Sequence, residues 1–341
     1  MPTPLEYSAI KRQVQLERLK TSFVKEYDVT YEEISKVIAA SLALLERDLS
    51  KMSLRTRRKW MVDLEKKVWL IFDKRTTELT EVSLRPTSGM AAALEEDDVE
   101  DAVIGILALV SVTTVQAWQM TTTTGMGDSG VLLKSFLDEF VSQETSRIMG
   151  AIRRGYQVGL TNAQILRDIV GTRARNFLDG VIATSKRAAR TMVNTATQHS
   201  AIIGKLRLRM ANPKVLGQYQ WVSVLDSKTS TICRSLSGQV FNNGAGPLPP
   251  AHRNCRSSTQ AVVTGGQETV SGTDQSYYEW LKGQTPTFQD EVLGPARGQL
   301  FRKSGMSTNS FADLNLDKDF QPMTLDQMRA ENPKAFKRAG I

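Results

Sequence analysis

The sequence predicts an α+β fold in which a mainly helical N-terminal region and a long helix precede a small antiparallel β module near residues 217–263, followed by an extended C-terminal tail. Apolar residues recur every three to four positions through most of the first 210 residues, which is the period of a helix. After Pro213 the pattern changes to alternation rich in aromatic and β-branched residues, which favours strands.

Three helices are predicted in the first 80 residues. One covers residues 3–25, and a second begins at Thr30, where Glu33 three residues later has the spacing of a capping box. The third covers residues 53–80. Its first turn is basic, which suits either a solvated surface or contact with DNA or an acidic partner, through Arg55, Arg57, Arg58 and Lys59.

Residues 85–89, with Pro86 and Gly89, predict a break in the helical region. The apolar run 102–112 is interpreted as a buried core helix, and the acidic run at 95–101 lies at its start, where the helix dipole favours negative charge. The apolar run is too short to cross a bilayer, so no membrane anchor is expected. A glycine-containing loop is predicted at 121–129 and a further helix at 131–154.

Thr161 and Gln164 form a second capping-box pattern at the start of a short helix. A long helix is predicted over residues 173–210, and Pro213 ends it. One of its faces is basic, which suits a solvated surface or an acidic partner such as nucleic acid, through Arg173, Arg175, Lys186, Arg187, Arg190, Lys205, Arg207 and Arg209.

Strands are predicted at residues 218–225, 239–241 and 257–263. A Gly/Ser/Thr/Gln linker follows at 264–275, and the short segments after it are expected to wrap onto a larger body because each is too short to form a core. This organisation gives three parts: a helical region at 1–158, a central domain at 159–263, and a linker with a wrapping tail at 264–341.

Composition limits the class of protein. The chain has 341 residues, a net charge of +8 and only two cysteines, which argues against a disulfide scaffold and fits a reducing compartment. The first 19 residues mix charged and apolar positions and show no signal peptide. We find no phosphate-binding glycine loop and no G-x-S-x-G motif.

Both cysteines and both histidines fall between residues 199 and 255. Cys233, His252 and Cys255 supply three donors that zinc accepts, with His199 or Asp226 as the fourth. The same residues also fit buried cysteines beside a hydrogen-bonded histidine, or a disulfide in an oxidising environment. Nucleophilic catalysis by Cys255, His252 and Asn254 has the right residue types, but the three are crowded on one turn.

Small motifs follow one another along the long helix and the predicted strands, at Arg190, Thr191, Asn194, Trp221, Asp226, Thr229, Cys233, Gly238, His252, Cys255 and Arg256. Their order resembles the phage Mu F-like head-morphogenesis family, the minor head proteins of tailed phages. The resemblance covers about residues 159–263 and implies that the helical region at 1–158 is the partner-docking part. Two positions depart from the family's usual pattern, with Met192 in place of Glu and Ser257 in place of Cys.

The resemblance implies a virion structural protein at the portal vertex, made in the host cytoplasm and present in several copies per head. Portal protein and major capsid protein are its implied partners, with packaged DNA as a further one. No enzymatic activity is implied, and no cofactor other than a candidate zinc ion. The alternatives are a zinc-dependent or Cys/His hydrolase carried in the virion and a basic nucleic-acid-binding module. Contact with DNA or portal would involve Arg55, Arg57, Arg58, Lys59, Arg187, Arg207 and Arg209.

Overall fold

A computed structural model describes residues 3–105, 108–127, 129–265, 267–268 and 275–341. Among the described residues up to 211, the regular elements are helices joined by loops, with one short strand. Their elements are α1 (Pro4–Ala43), α2 (Leu54–Glu78), α3 (Arg85–Ala102), β1 (Val103–Ile104), α4 (Thr114–Thr123), α5 (Leu133–Gln157), α6 (Asn162–Val170) and α7 (Val181–Ala211).

The rest of the chain contains the β module and a set of short helices, so the predicted α+β class is confirmed. The module contains β2 (Gln218–Val222), α8 (Thr231–Leu236), β3 (Val240–Asn242), β4 (Ser258–Val262) and β5 (Gln267–Glu268). The short helices are α9 (Tyr277–Lys282), α10 (Pro286–Leu293), α11 (Pro295–Lys303), α12 (Thr308–Leu314), α13 (Leu325–Glu331) and α14 (Pro333–Ala339).

The two predicted N-terminal helices are one continuous helix, α1, and the helix start predicted at Thr30 is wrong. The Thr30 hydroxyl donates to the carbonyl of Glu26 within the helix instead of capping a new one. Tyr27, Tyr31 and Ile34 are fully buried around it, so packing keeps this stretch helical despite the capping-box pattern.

The predicted break at residues 85–89 is also wrong. A π-helical turn at Leu79–Leu84 joins α2 to α3, and Pro86 lies at the start of α3. A wide turn of this kind absorbs a proline that would otherwise clash with the preceding turn. The acidic run 95–101 therefore lies at the C-terminal end of α3 and not at a helix start.

The core helix predicted at 102–112 does not form among its described residues. The helix α3 ends at Ala102, and β1 then pairs antiparallel with β5. Farther along, the Val110 amide donates to the Asn212 side chain. Residues 106 and 107 of this run, and residue 128 of the loop predicted at 121–129, lie outside the described residues.

The capping box at Thr161 and Gln164 is confirmed at the start of α6. The long helix begins at Val181 and not at 173, because residues 173–175 form one 3-10 turn that ends in left-handed backbone at Asn176 and Phe177. Twenty residues of α7 are buried, on several sides of the helix, which makes it the central helix of the molecule.

The sheet has the order β3-β2-β4, and both pairs are antiparallel. Register is set by Tyr219 opposite Phe241 on one side and by Trp221 opposite Thr259 on the other. The strand β4 lies against α1 and α7, so the module is attached to the helical body along this edge.

Two large hydrophobic cores organise the chain. The first combines residues of α1 and α2 with residues of α5, α6 and α7. This core therefore spans the boundary predicted between the regions 1–158 and 159–263. The second is formed by the short C-terminal helices around Tyr277, Tyr278 and Phe311, with Leu225 packed against it.

Each C-terminal segment was expected to be too short for a core of its own, and the structure shows that together the segments bury a shared aromatic cluster. Ring centroids of Tyr278 and Phe311 lie 5.0 Å apart, and those of Phe301 and Phe311 lie 4.9 Å apart. The linker predicted at 264–275 lies largely outside the described residues. Within the described part of the chain, no helix combines the length and the apolar character that crossing a membrane requires.

Candidate functional site

The fold brings Cys233, His252 and Cys255 together at the junction of α8 with the turn that precedes β4. Cys233 lies on α8, whose first turn is capped by the Ser230 hydroxyl. The Cys233 sulfur lies 3.2 Å from Nε2 of His252 and 3.6 Å from the sulfur of Cys255. One potential ligand atom from each of the three residues falls within 4.8 Å of the others.

The orientation of the His252 ring follows from its backbone contact. Its Nδ1 lies 2.9 Å from the Arg253 carbonyl, which can only accept, so Nδ1 carries the proton. Nε2 then points its lone pair toward the Cys233 sulfur and toward the Ser230 hydroxyl, 2.8 Å away. This is the arrangement by which proteins orient a histidine that ligates a metal.

Both cysteines are buried and free of disulfides. Because the two sulfurs share a hydrogen bond, the pKa of Cys255 is held well below its ordinary value while the same bond, together with burial, raises the pKa of Cys233. Two sulfur atoms side by side in a buried place are soft donors of the kind that zinc accepts.

Asn254 fixes the turn that carries His252 and Cys255 to α7. Its side chain donates to the Thr191 hydroxyl at 3.1 Å and accepts from the Asn194 amide at 3.0 Å. Its backbone amide donates to the Thr195 hydroxyl at 3.2 Å. Asn254 adopts a φ of 59°, a left-handed conformation that asparagine tolerates better than most residues. Thr191 and Asn194, carriers of the family resemblance, thus act as the anchor for the turn.

Asp226 and Arg256 form a second link beside the cysteines. The Arg256 guanidinium donates to both carboxylate oxygens of Asp226 at 2.8 Å each. Oδ1 also accepts from the Lys228 amide and the Thr229 hydroxyl. Burial opposes ionisation, but these donors outweigh it and hold the pKa of the Asp226 carboxyl below its ordinary value. Asp226 is therefore engaged by Arg256 and does not complete the Cys/His cluster.

Trp221 and Gly238 support α8 from the sheet. Trp221 is buried, and its ring nitrogen donates to the Ser223 hydroxyl, which in turn donates to the Cys233 carbonyl at 2.6 Å. The Gly238 amide donates to the Trp221 carbonyl at 2.8 Å. Gly238 has a φ of 82°, so a glycine suits this turn.

The structure corrects the role expected for His199. This residue is buried on α7, and its Nε2 lies 3.1 Å from the Thr121 carbonyl on α4. It is not part of the group formed by the two cysteines and His252. Its contact joins α7 to α4, so His199 belongs to helix packing and not to a ligand set.

The basic face expected on the long helix is only partly exposed. Arg209 is fully buried and pairs with Glu95, and Lys205 is buried with its Nζ donating to Ser258 and Thr259. The prediction that Arg209 and Lys205 belong to a DNA-binding face is therefore wrong, because a buried cation cannot contact DNA. Arg187 and Arg190 are exposed, and Arg207 is half-buried.

The basic surface predicted at the start of α2 agrees with the structure better than the basic face predicted on α7. Arg55, Arg58 and Lys59 are exposed. Arg57 is half-buried, with its guanidinium 4.4 Å from the ring centroid of Tyr156 and a hydrogen bond to the Leu49 carbonyl. Arg57 therefore stabilises the contact between α2 and α5 and contributes less to the exposed surface.

Two features of the site went unrecognised in the sequence. The pattern Ser230-x-x-Cys233 is a helix cap, which would have placed Cys233 in the first turn of a helix. Lys20 of α1 gave no sequence signal. It is buried, donates to Gln198 at 2.5 Å, and Gln198 donates to the Ser257 carbonyl at 2.7 Å. The N-terminal helix is thereby joined to the strand that follows Cys255.

Comparison with family models confirms the resemblance inferred from the motifs. Residues 146–260 match the family described as phage Mu protein F like protein. The match begins within α5 and ends within β4, so it contains α7, α8 and the whole Cys/His cluster. Comparisons with curated proteins and with solved structures found no match.

Proposed function

We propose that this chain, whose residues 146–260 are a phage Mu protein F-like segment, is a minor head protein of a tailed bacteriophage that docks at the portal vertex and assists head assembly and DNA packaging or delivery. The family match supports its coarser part, a phage head-morphogenesis protein. The observation that carries the proposal is the tie between Asn254 and Thr191, Asn194 and Thr195, because it gives the matched motifs a common structural task.

A structural role suits the geometry better than catalysis by Cys255 and His252. In a catalytic triad, a third residue orients the histidine. Asn254 has the right chemistry, but its side chain is bonded to Thr191 and Asn194 on α7. The ring of His252 is oriented by its neighbour's carbonyl instead. We therefore assign these residues to holding the domain together.

The surface proposed for docking is one face of α2. Arg55, Lys59, Val62, Lys66 and Trp69 follow each other at spacings of three and four residues, which places them on one side of the helix. All five are exposed, with Val62 at 58% and Trp69 at 42%. We call this set the α2 stripe.

The composition of the α2 stripe favours a protein partner. Its three cations attract an acidic surface, while Val62 and Trp69 gain from burial against a folded partner. DNA would be held mainly through its phosphates and would use the cations alone. We propose the portal protein as the occupant and packaged DNA as the alternative that the experiment separates.

The test uses the phage that encodes the chain, with the gene silenced and the protein supplied from a plasmid. Wild-type protein is expected to restore infectious particles. The triple variant Arg55→Glu, Lys59→Glu, Lys66→Glu is expected to fold normally but to lower the yield of infectious particles by at least about tenfold, as a buried hot spot does. The matched control reverses three exposed lysines on the C-terminal helical unit, Lys318, Lys334 and Lys337, and should restore infectivity.

Two results would contradict the proposal. Normal infectious heads in the absence of the chain would refute a role in head morphogenesis. Loss of infectivity with the charge reversals but full activity of the pair Val62→Ser and Trp69→Ser would refute the portal as the occupant and identify DNA.

A further inference from the structure

The three donors of the Cys/His cluster have the spacing of ligands around one tetrahedral zinc ion. With zinc–sulfur bonds of about 2.3 Å, two thiolates on a tetrahedron lie about 3.8 Å apart, and a thiolate and an imidazole nitrogen about 3.5 Å apart. The sulfurs of Cys233 and Cys255 are 3.6 Å apart, and Nε2 of His252 is 3.2 Å from the Cys233 sulfur. Small side-chain shifts would bring all three into coordination.

The surroundings of the cluster are those of a ligand set. His252 is oriented through Nδ1 by a backbone carbonyl, which leaves Nε2 directed at the cluster. Both sulfurs are almost completely buried, at 2% and 0% exposure, so bulk water has little access to them. Hydroxyl groups of Ser230 and Ser257 lie beside Cys233 and are oxygen atoms close to the cluster.

We infer that Cys233, His252 and Cys255 bind one structural zinc ion, whose fourth ligand is an oxygen, from water or from a neighbouring serine. This goes beyond the proposed head-protein function and does not depend on it. The ion would join α8 to the turn at residues 251–255. Because Asn254 ties the same turn to α7, the ion and the asparagine together would hold the β module against the central helix.

A disulfide is the competing use of the two cysteines. It would require the sulfurs to move from 3.6 Å to about 2.05 Å apart. It would also use only the two cysteines, whereas zinc uses all three side chains.

The first experiment measures metal content of the full chain, purified under reducing conditions without chelators. Wild-type protein is expected to contain about one zinc per chain, and Cys233→Ser, Cys255→Ser and His252→Ala to retain less than about a tenth of that. His199→Gln is the control, because His199 packs between α7 and α4. It is expected to keep its zinc even where its thermal stability falls, which separates ligand loss from general destabilisation.

A second readout tests the geometry. Ser257→Cys offers a third thiolate beside Cys233 and is expected to slow the release of zinc to a chelator by at least about tenfold. Removing zinc from wild-type protein should lower its melting temperature, while the same treatment should leave Cys233→Ser unchanged.

Wild-type protein without bound zinc, whose melting temperature responds neither to added zinc nor to a chelator, would overturn the inference. In a sample purified without reductant, a mass two units below that of the reduced chain, with Cys233 and Cys255 protected from alkylation, would overturn it in favour of the disulfide.

Discussion

Asn254 determines, at the scale of a single residue, where the turn with His252 and Cys255 lies. Its left-handed backbone reverses the chain, and its side chain spans from Thr191 to Asn194 on α7. An asparagine is one of few residues that combine tolerance of that conformation with a donor and an acceptor on one short side chain.

Substituting Asn254 separates these two contributions. Asn254→Gly loses the side-chain hydrogen bonds but keeps the backbone relaxed, and is expected to lower the free energy of unfolding by about 1–3 kcal/mol. Asn254→Ala adds the left-handed backbone penalty of about 1 kcal/mol and should be the less stable of the two. Urea denaturation of the full chain measures both values.

The control for this series is Asn176→Ala. Asn176 has a φ of 51° in the exposed turn before α7, so it incurs the backbone penalty away from the site. Equal stability of Asn254→Ala, Asn254→Gly and the wild type would show that the turn is not held by this residue.

At the scale of elements, α3 and α7 approach each other closely because Gly204 has no side chain. A Cβ at Gly204 would overlap the backbone carbonyl oxygen of Ser88 on α3. A glycine inside a helix costs about 1 kcal/mol relative to alanine, so its presence at the middle of α7 needs a reason, and the close contact supplies it.

Gly204→Ala is therefore expected to lower the free energy of unfolding by about 1–3 kcal/mol, since neither backbone can move without disturbing the core. Gly150→Ala on α5 is the matched control. Its added Cβ would meet only the end of the flexible Arg154 side chain, at 3.5 Å. The control should be neutral or gain up to about 1 kcal/mol. Thermal and urea denaturation of the pair provide the measurement, and equal destabilisation of both would contradict the close approach.

The sequence predicted the elements with strong local signals, and it failed where packing overrides local preference. The capping box predicted at Thr161 is confirmed. The helix α6 is short and starts at an exposed turn, so packing does not override the local signal there. The similar pattern at Thr30 misled because Tyr27, Tyr31 and Ile34 are buried around it and keep α1 continuous. Pro86 misled because a preceding π turn absorbs it, and a π turn has no simple sequence signature.

The candidate site also contains some residues that the sequence could identify and others whose position depends on packing. Cys233, His252 and Cys255 could be grouped from the sequence because the chain offers so few soft ligands. The sequence could not show that His199 lies outside this group, since both its burial on α7 and its contact with Thr121 depend on how α4 packs. The burial of Lys205 and Arg209 likewise depends on the helices and strands that cover α7.

At the scale of the whole molecule, the matched segment is embedded in a larger helical body. The first core joins α1 and α2 to α5, α6 and α7, and Lys20 of α1 reaches through Gln198 to Ser257. The short C-terminal helices form their own aromatic core beside the β module. The exposed α2 stripe lies on this body, where a partner has access to it.

We propose that this protein is a component of the phage head at its portal vertex, and its copy number in the particle distinguishes that position from others. The measurement is quantitative mass spectrometry of gradient-purified phage particles, with portal and major capsid proteins as internal standards. The chain should be present in mature heads at about the copy number of the portal ring and far below that of the capsid protein, as closed cyclic symmetry at one vertex requires. Absence of the chain from mature particles, or a copy number that matches the major capsid protein, would contradict it.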